Sequence, residues 1–316
     1  MSTLPYISVV IPCMNEAGNI IPLHGQIHDI LQNMAEFEII YVDDGSSDHS
    51  AAEIVELCKH DARVQLIQFT RNFGHQAALI AGIQNAKGNA VVMMDADGQH
   101  PPALLPLLIK EWQKGFKIVN TKRADSRNTG LFKKLTSHIF YQLLTWFSGI
   151  PFEPGIADYR LIDKAVVELI KASTGKLTFL RGWLYLTGYK QQFIGYECGK
   201  RLNGKTKYNM RKMCKLAFEG IASCSTRPLY LSVWLGFFLA FCSFVYGIYA
   251  VIIHLFTSLT VSGWSSIVAT ITLLAGVQLI ITGIIGYYVG KVSPVNKAMP
   301  QFVIENQISG KEEVME

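Results

Sequence analysis

The chain has 316 residues, half of them hydrophobic, a net charge of +5 and a mean hydropathy of +0.24. That length is too great for one small domain and short for three, and the modest positive charge suits a surface facing anionic lipid or phosphate without demanding nucleic acid. The six cysteines (Cys13, Cys58, Cys198, Cys214, Cys224, Cys242) form no CxxC pair or Cys/His cluster, which argues against a zinc site and fits thiols in a reducing compartment. The hydrophobic excess is local. Pro228 to Gly290 contains no Asp, Glu, Lys or Arg, whereas residues 1–227 have the mixed composition of a globular domain. Met1 to Tyr6 has no basic stretch followed by a long apolar core, so no secretory signal is expected and the N-terminal domain should stay in the cytosol.

Ile7 to Ile11 is a short apolar run closed by Pro12. Asn15-Glu16 follow, and Ile20, Leu23, Ile27, Ile30 and Leu31 then repeat at helical spacing. Phe37 to Val42 reads as a second strand ending at Asp43-Asp44-Gly45-Ser46-Ser47-Asp48, and Ala51 to Cys58 as a helix. Val64 to Phe69 is a third strand, followed by Arg71-Asn72-Phe73-Gly74 and a helix over His75 to Ala86. Ala77, Ala78, Ala81 and Gly82 give that helix a small-residue face for close packing. Val91 to Met94 is a fourth strand that runs into Asp95 and Asp97, and Pro101-Pro102 stops it. Ala103 to Trp112 is the next helix, and Phe116 to Asn120 fits a fifth strand.

This alternation predicts an α/β domain with a mostly parallel sheet and right-handed crossovers. The polar motifs fall at the C-terminal ends of the strands, the edge where open α/β sheets bind ligands. A lone Asp after a strand is often a helix cap, but clusters after the second, third and fourth strands point to a site. Two carboxylates one residue apart, Asp95 and Asp97, are costly at a buried strand end unless a cation or partner neutralises them. No G-x-G-x-x-G follows the first strand and no G-x-x-x-x-G-K-[ST] occurs, which disfavours a dinucleotide dehydrogenase or a P-loop NTPase.

Residues 127–148 carry an apolar face (Leu131, Phe132, Leu135, Ile139, Phe140, Leu143, Leu144, Phe147) opposite Arg127, Lys133, Lys134 and His138. Residues 208–223 repeat the pattern. Each fits either a core helix or a helix lying on a membrane surface. Leu229 to Phe256 and Ile267 to Val289 are each long enough to cross about 30 Å of hydrocarbon. Basic residues flank the pair, at Lys205, Lys207, Arg211, Lys212, Lys215 and Arg227 before it and Lys291 and Lys297 after it, while Thr257 to Ser266 has none. The positive-inside rule puts both flanks in the cytosol. The expected organisation is a cytosolic domain over 1–227, a transmembrane hairpin over 228–290 and a cytosolic tail over 291–316. Glycines in the two spans would permit close packing between helices or subunits.

Taken together, Val9-Val-Ile-Pro-Cys-Met-Asn-Glu16, Val42-Asp-Asp-Gly-Ser-Ser-Asp48, Arg71-Asn-Phe-Gly74, Asp95-Ala-Asp-Gly-Gln-His-Pro-Pro102, Asp158-Tyr-Arg-Leu161 and Arg201-x-x-Gly-Lys-Thr-Lys-Tyr208 form an ordered set. In that order they resemble family 2 glycosyltransferases of the GT-A fold, and more narrowly the polyprenyl-phosphate group that includes dolichol-phosphate mannose synthase and the bacterial bactoprenol glucosyltransferases. The resemblance covers nearly the whole chain. It implies that Pro12, Asn15, Glu16, Asp43, Asp44 and Arg71 line a nucleotide-sugar pocket, with Asp43 at the base and Asp44 near the ribose. It also implies that Asp95 and Asp97 hold Mg²⁺ or Mn²⁺, with Asp97 the more direct ligand, and that Gln99 lies beside the sugar or the metal. Gly98 stands where relatives often carry a larger residue, which predicts a looser local backbone. His100 stands at a variable position and is not assigned a catalytic role.

On the acceptor side, Arg123, Arg127, Arg201, Lys205, Lys207 and Tyr208 are candidates to meet a phosphate, each weighed against an ordinary solvated side chain. The resemblance makes Asp158 a base or an acceptor-positioning residue; the alternative is an ion pair with Arg160 or another neighbouring arginine. Asp97, Asp158 and Arg201 make the expected catalytic set. The implied reaction is inverting transfer of a hexose from UDP-glucose to undecaprenyl phosphate at the cytosolic membrane face. UDP-N-acetylglucosamine, UDP-galactose and GDP-mannose remain open as donors. The resemblance also suggests a homo-oligomer, with a tetramer as one form. A processive polysaccharide synthase lacks its Q-x-x-R-W motif here, and a non-catalytic nucleotide-binding scaffold would have no need of intact Asp95, Asp97, Asp158 and Arg201.

Overall fold

A computed structural model describes residues 4–123, 142, 145–147, 149, 155–173, 179–196, 225, 227–256, 263–292 and 300–310. In chain order the elements are β1 (Tyr6–Cys13), α1 (Ile20–Leu31), β2 (Glu36–Asp43), α2 (Ser50–His60), β3 (Val64–Phe69), α3 (His75–Asn85), β4 (Ala90–Met93), a 3-10 turn (Pro102–Leu104), α4 (Leu105–Gln113), β5 (Ile118–Arg123), β6 (Ile156–Asp163), α5 (Lys164–Ala172), α6 (Leu180–Leu186), β7 (Gln191–Tyr196), α7 (Arg227–Phe256), α8 (Trp264–Val292) and β8 (Ile304–Ser309).

The strands form one eight-stranded mixed sheet in the order β7-β5-β6-β4-β1-β2-β3-β8. β1 pairs in parallel with both β2 and β4, and β2 with β3. β6 runs antiparallel between β4 and β5. Both faces of the central strands are covered, so they are apolar almost throughout. Val9 and Ile11 enter the core that holds Ile20, Leu23, Ile27, Ile54, Leu105 and Leu108, whereas Val10 enters the core on the opposite face with Ala77, Ala78, Ala81 and Val166. The small-residue face of α3 packs as its sequence predicts: a Cβ on Gly82 would run into the side chain of Val10. Helix α5 starts where Asp163 accepts the Ala165 N–H at 2.9 Å, an N-cap that also receives Trp112 Nε1 at 2.7 Å.

Four expectations are corrected. β1 does not end at Ile11 but runs through Pro12, which pairs with Val42 of β2. Met94 donates its N–H to Val10, after which β4 has ended on that side of β1. Pro12 faces that same side, so its missing N–H interrupts no ladder bond. Helix α4 starts two residues later than expected, because the Pro102–Leu104 turn precedes it. The β6 and β7 strands are additions to the expected set; their alternation is broken by Asp158, Arg160 and Gln191-Gln192. Finally, part of the expected C-terminal tail is a sheet strand. β8 pairs antiparallel with β3, Thr70 donates to the Val303 carbonyl, and Phe302 stacks on Phe69 at 5.1 Å. A Cβ on Gly310 would lie 2.5 Å from the Cys58 carbonyl, so the strap closes tightly over the end of α2.

Helices α7 and α8 have 30 and 29 residues, about 45 Å each at 1.5 Å per residue. Trp234, Phe237, Phe241, Phe244, Leu273 and Leu279 on them are exposed. Among the described residues these two helices are long and apolar enough to cross a membrane. The expected surface helix at 208–223 lies outside the described residues, as does most of the one at 127–148.

Candidate active site

Order reverses at β1 and β4, whose neighbours on the sheet are β2 and β6, so the C-terminal ends of β1 and β4 flank the switch point of the sheet. Pro12, Asp43, Asp44, Asp95 and Asp97 all gather at this edge. The loops between them are cross-braced. Asn15 adopts a left-handed φ of 57°, and its Oδ1 accepts the Ser47 N–H at 2.8 Å while its own N–H donates to Ser46 Oγ at 3.0 Å. Glu16 Oε2 accepts Asn19 Nδ2 at 2.7 Å, and the Glu16 N–H donates to Ser50 Oγ at 2.9 Å. The Asn15 side chain and the Glu16 backbone N–H therefore hold the β1 and β2 loops together, a use that the motif alone did not reveal, while the Glu16 carboxylate braces Asn19 within its own loop.

The two acids of the β2 end differ. Asp43 is wholly buried; its Oδ1 accepts the Ser46 N–H at 3.2 Å, and its Oδ2 is buried with no partner among the described residues. Burial pushes its carboxyl above the usual value against the pull of the Ser46 bonds. Asp44 accepts the Phe73 N–H at 2.7 Å on Oδ1 and the Gly74 N–H at 3.0 Å on Oδ2. Asp44 thereby shapes the 71–74 loop. Gly45 lies between, at φ 72°, where a Cβ would sit 2.6 Å from the Arg71 carbonyl carbon. Arg71 lies over the Phe73 ring at 4.1 Å.

At the β4 end, Asp95 Oδ1 receives His75 Nε2 at 2.8 Å, and the Asp95 N–H donates to His100 Nδ1 at 2.9 Å. Burial works against charge on His75, but the bond and the charge of Asp95 outweigh it and hold the imidazole up to about 9. The same pair holds Asp95 below the usual range despite its burial. His100 is buried and stacks on Tyr159 at 5.1 Å, with Tyr196 edge-on at 6.3 Å. Burial lowers its pKa, and its role is to support the Asp95 backbone. Asp97 Oδ1 accepts the Gln99 N–H at 3.0 Å across Gly98. Gly98 has φ 77°, so the expected looseness is a specified left-handed turn that favours glycine. Two carboxylates on one short loop fit a hard divalent cation. No group of three or more His, Cys, Asp or Glu side chains suited to a metal occurs among the described residues; Asp95 and Asp97 are the pair that would hold such an ion.

Asp158, on β6, is ion-paired with its neighbouring arginine Arg160 and with Arg181. Its Oδ1 meets Arg160 Nη2 and Arg181 Nη2, each at 3.1 Å. Burial would raise its pKa, yet the Arg181 and Arg160 charges hold it far below the carboxylate range, which makes it a poor proton acceptor. Arg123, the last residue of β5, donates Nε to the Tyr196 hydroxyl at 3.2 Å and so stands beside the His100 stack. Arg127, Arg201, Lys205, Lys207 and Tyr208 lie outside the described residues. The sequence reading missed His75 and Arg181, which sit 20 and 23 positions from the carboxylates they hold. The one available signal was at His75, which opens a helix directly after Arg71-Asn-Phe-Gly74; Arg181 lies between the Asp158–Leu161 and Arg201–Tyr208 motifs and adjoins neither.

Residues 8–168 match the profile described as Glycosyl transferase family 2. An uncharacterized glycosyltransferase of Bacillus subtilis (strain 168), YkcC, is 36% identical over 299 residues, 94% of this chain and 93% of that protein. The bactoprenol glucosyl transferase of Shigella phage SfV is 36% identical over 302 residues, 95% of this chain and 98% of that one. Among solved structures, the mannosyltransferase PcManGT from Pyrobaculum calidifontis, in complex with GDP-Man and Mn²⁺, superposes with a TM-score of 0.50 at 16% identity, covering 92% of this chain and 87% of that one. That likeness bears on the fold, which is GT-A.

Proposed function

We infer the reaction from one premise: the chain belongs to glycosyl transferase family 2 and is a glycosyltransferase. The reaction assigned is inverting transfer of a hexose from a nucleotide sugar, UDP-glucose first among donors, to a polyprenyl phosphate at the cytosolic face of a membrane. The observation that carries this reading is the 36% identity to a bactoprenol glucosyl transferase over 95% of the chain, a span that includes the two apolar helices.

The site residues supply a division of labour that fits. The buried, unpartnered Oδ2 of Asp43 is an acceptor suited to a nucleobase N–H. Asp44 and Asn15 fix the loops around it. A bound Mg²⁺ or Mn²⁺ on Asp97 and Asp95 would neutralise the charge developing on the departing diphosphate. The acceptor phosphate is already an anion near neutral pH and needs alignment and charge screening more than a base. Asp158, with its depressed pKa, agrees with a positioning role.

The strap supports the proposed topology. β8 lies beside β3 in the same sheet as the site, so the chain must return to the side of the site after α8. Two crossings satisfy this, with the catalytic domain and the C-terminus both cytosolic. The glycines of α7 and α8 leave room for a homo-oligomer.

The test is transfer in membranes that carry the protein, supplied with undecaprenyl phosphate and each labelled nucleotide sugar in turn. Label enters the lipid fraction, with UDP-glucose ahead of UDP-N-acetylglucosamine, UDP-galactose and GDP-mannose. Absence of lipid label with every donor, while a related enzyme labels lipid in parallel, overturns the reading.

A further inference from the structure

We propose that Arg181 is a phosphate-binding residue of this site, held ready by Asp158 and transferred to a phosphate oxygen when substrate arrives. The proposal rests on the glycosyl-transfer reading above and deepens it by naming a residue that none of the site motifs contains.

Three observations converge. The first is the charge count around Asp158. One carboxylate oxygen meets two guanidinium groups at equal distance, 3.1 Å each. Arg160 alone is enough to neutralise Asp158. It is almost wholly buried, with 3% of its side chain exposed, and it also donates to the Ala157 carbonyl at 3.0 Å. Arg160 is therefore the structural partner, and Arg181 adds a positive charge beyond what the trio requires.

The second observation is access. The Arg181 side chain is one-third exposed, at 33%. A buried guanidinium that served packing alone would be as enclosed as Arg160. An arginine is well suited to pass from a carboxylate to a phosphate, because both present oxygens to its planar fork.

The third is placement. Gln76, the residue after His75, accepts the Leu180 N–H on Oε1 at 3.2 Å. This latch ties the start of α6 to the start of α3 and sets Arg181 next to the residue that holds Asp95. The charges of His75 and Arg181 both act on Asp158, and that of Asp158 acts on Asp95. Arg181 thus stands within the same electrostatic cluster as the two-carboxylate loop where diphosphate would lie. This edge otherwise gathers Asp43, Asp44, Asp95 and Asp97, so a movable cation here offsets repulsion between those acids and an incoming phosphate.

The phosphate could be that of the donor diphosphate or that of the lipid monophosphate, and the two are separable. The full-length protein in detergent is compared with Arg181→Gln and Arg181→Lys. Binding of UDP with Mn²⁺ is measured by calorimetry, and the KM values for donor and for undecaprenyl phosphate are measured separately. Contact with the diphosphate weakens UDP binding about ten-fold or more in Arg181→Gln. Contact with the acceptor leaves UDP binding unchanged and raises the KM for undecaprenyl phosphate by a similar factor. Arg181→Lys, which keeps the charge but not the fork, recovers part of whichever loss occurs. Gln76→Met, which removes the latch and keeps Arg181, gives a smaller change in the same parameter and guards against misfolding of the arginine variants.

Unchanged UDP affinity together with both KM values within two-fold of wild type in folded Arg181→Gln would overturn the proposal while leaving the reaction intact. If Arg181 variants lose UDP affinity but wild type labels no polyprenyl phosphate, the proposal stands and the reading of the acceptor fails. A wild type that binds neither UDP nor lipid phosphate overturns both.

Discussion

The two edges of the sheet both bury acids, and they treat them in opposite ways. At the N-terminal edge, Glu38 of β2 accepts Ser8 Oγ at 2.6 Å and the Lys87 N–H at 2.7 Å, while Ser8 Oγ accepts the Gly88 N–H at 2.8 Å. Tyr6 adds a hydrogen bond to Glu38, and burial together with that acid pushes its phenol up to about 12. The Tyr6 N–H donates to Asn89 Oδ1 at 3.0 Å. This network is closed and ties β1, β2 and the turn before β4 into one unit. At the C-terminal edge, Asp43 keeps an oxygen with no partner among the described residues, Asn15 holds a left-handed backbone, and Asp158 divides one oxygen between two arginines. A fully satisfied polar network specifies structure, whereas a partly satisfied one stores capacity for a ligand. The same strands therefore end in a fastening at one edge and a site at the other.

The strongest way to break this comparison is to remove one acid from the ligand edge. Asp97→Ala should lower glycosyl transfer by about 10²–10³-fold, the scale of losing a preorganised charge-stabilising group. Its melting temperature should stay close to that of wild type, because the hydrogen bond from the Gln99 amide to Asp97 spans two residues of one half-buried turn. Normal transfer in this variant would remove the role assigned to the loop.

Asp158 tests the boundary between the two behaviours, since it is both part of the site and part of a buried ion pair. Asp158→Asn leaves Arg160 buried without its counter-charge and should cost about 3 kcal/mol at neutral pH. The sign of the pH dependence follows from the folded pKa lying below the ordinary 3.8. The stabilisation is fully present above that ordinary value and is lost as pH falls through the lower folded value. Melting curves of wild type and Asp158→Asn should therefore draw together only on strong acidification. A gap that widens toward acid would contradict the ion-pair assignment.

At the opposite edge, Glu38→Ala leaves Ser8 Oγ and the Lys87 N–H without their acceptor. It should lower stability by about 2 kcal/mol, seen as a lower melting temperature, with UDP affinity unchanged. Loss of nucleotide binding at a temperature where the variant is folded would show that the two edges are coupled, and would weaken the contrast drawn between them.

The contrast also explains what could be seen in the sequence. β1 to β4 are legible because both faces of each are buried, which leaves runs such as Val91-Val-Met-Met94 with little alternative. The acids at their ends are legible because charge at the end of such a run needs an explanation. β6 hides because Asp158 and Arg160 interrupt it, and their cost is offset by each other and by Arg181, a partner remote in sequence. β8 hides because an exposed edge strand such as Ile304-Glu-Asn-Gln-Ile-Ser309 carries no alternation strong enough to read. His75 hides for a third reason. Its meaning depends on α3 and β4 bringing residues 75 and 95 together, and nothing in the local pattern of either segment records that.

The strap formed by β8 gives the smallest and most discriminating test, because its strand pairs with β3 rather than with β1, β2 or β4 yet leads toward the site. Phe302 stacks on Phe69, Phe69 meets Phe73 edge-on at 5.7 Å, and Arg71 lies over Phe73. This row of rings reaches the loop that Asp44 holds. Phe302→Ala should cost about 1 kcal/mol through the lost stack. It should leave the donor KM within about two-fold, because the Phe73 and Gly74 amides are fixed by Asp44 and Gly45 closes against Arg71 independently of the rings. A large rise in donor KM at unchanged stability would mean that the row transmits the position of the strap, and with it that of the α8 end, into the 71–74 loop. In that case the ligand edge would be set from the membrane side as well as from within the sheet.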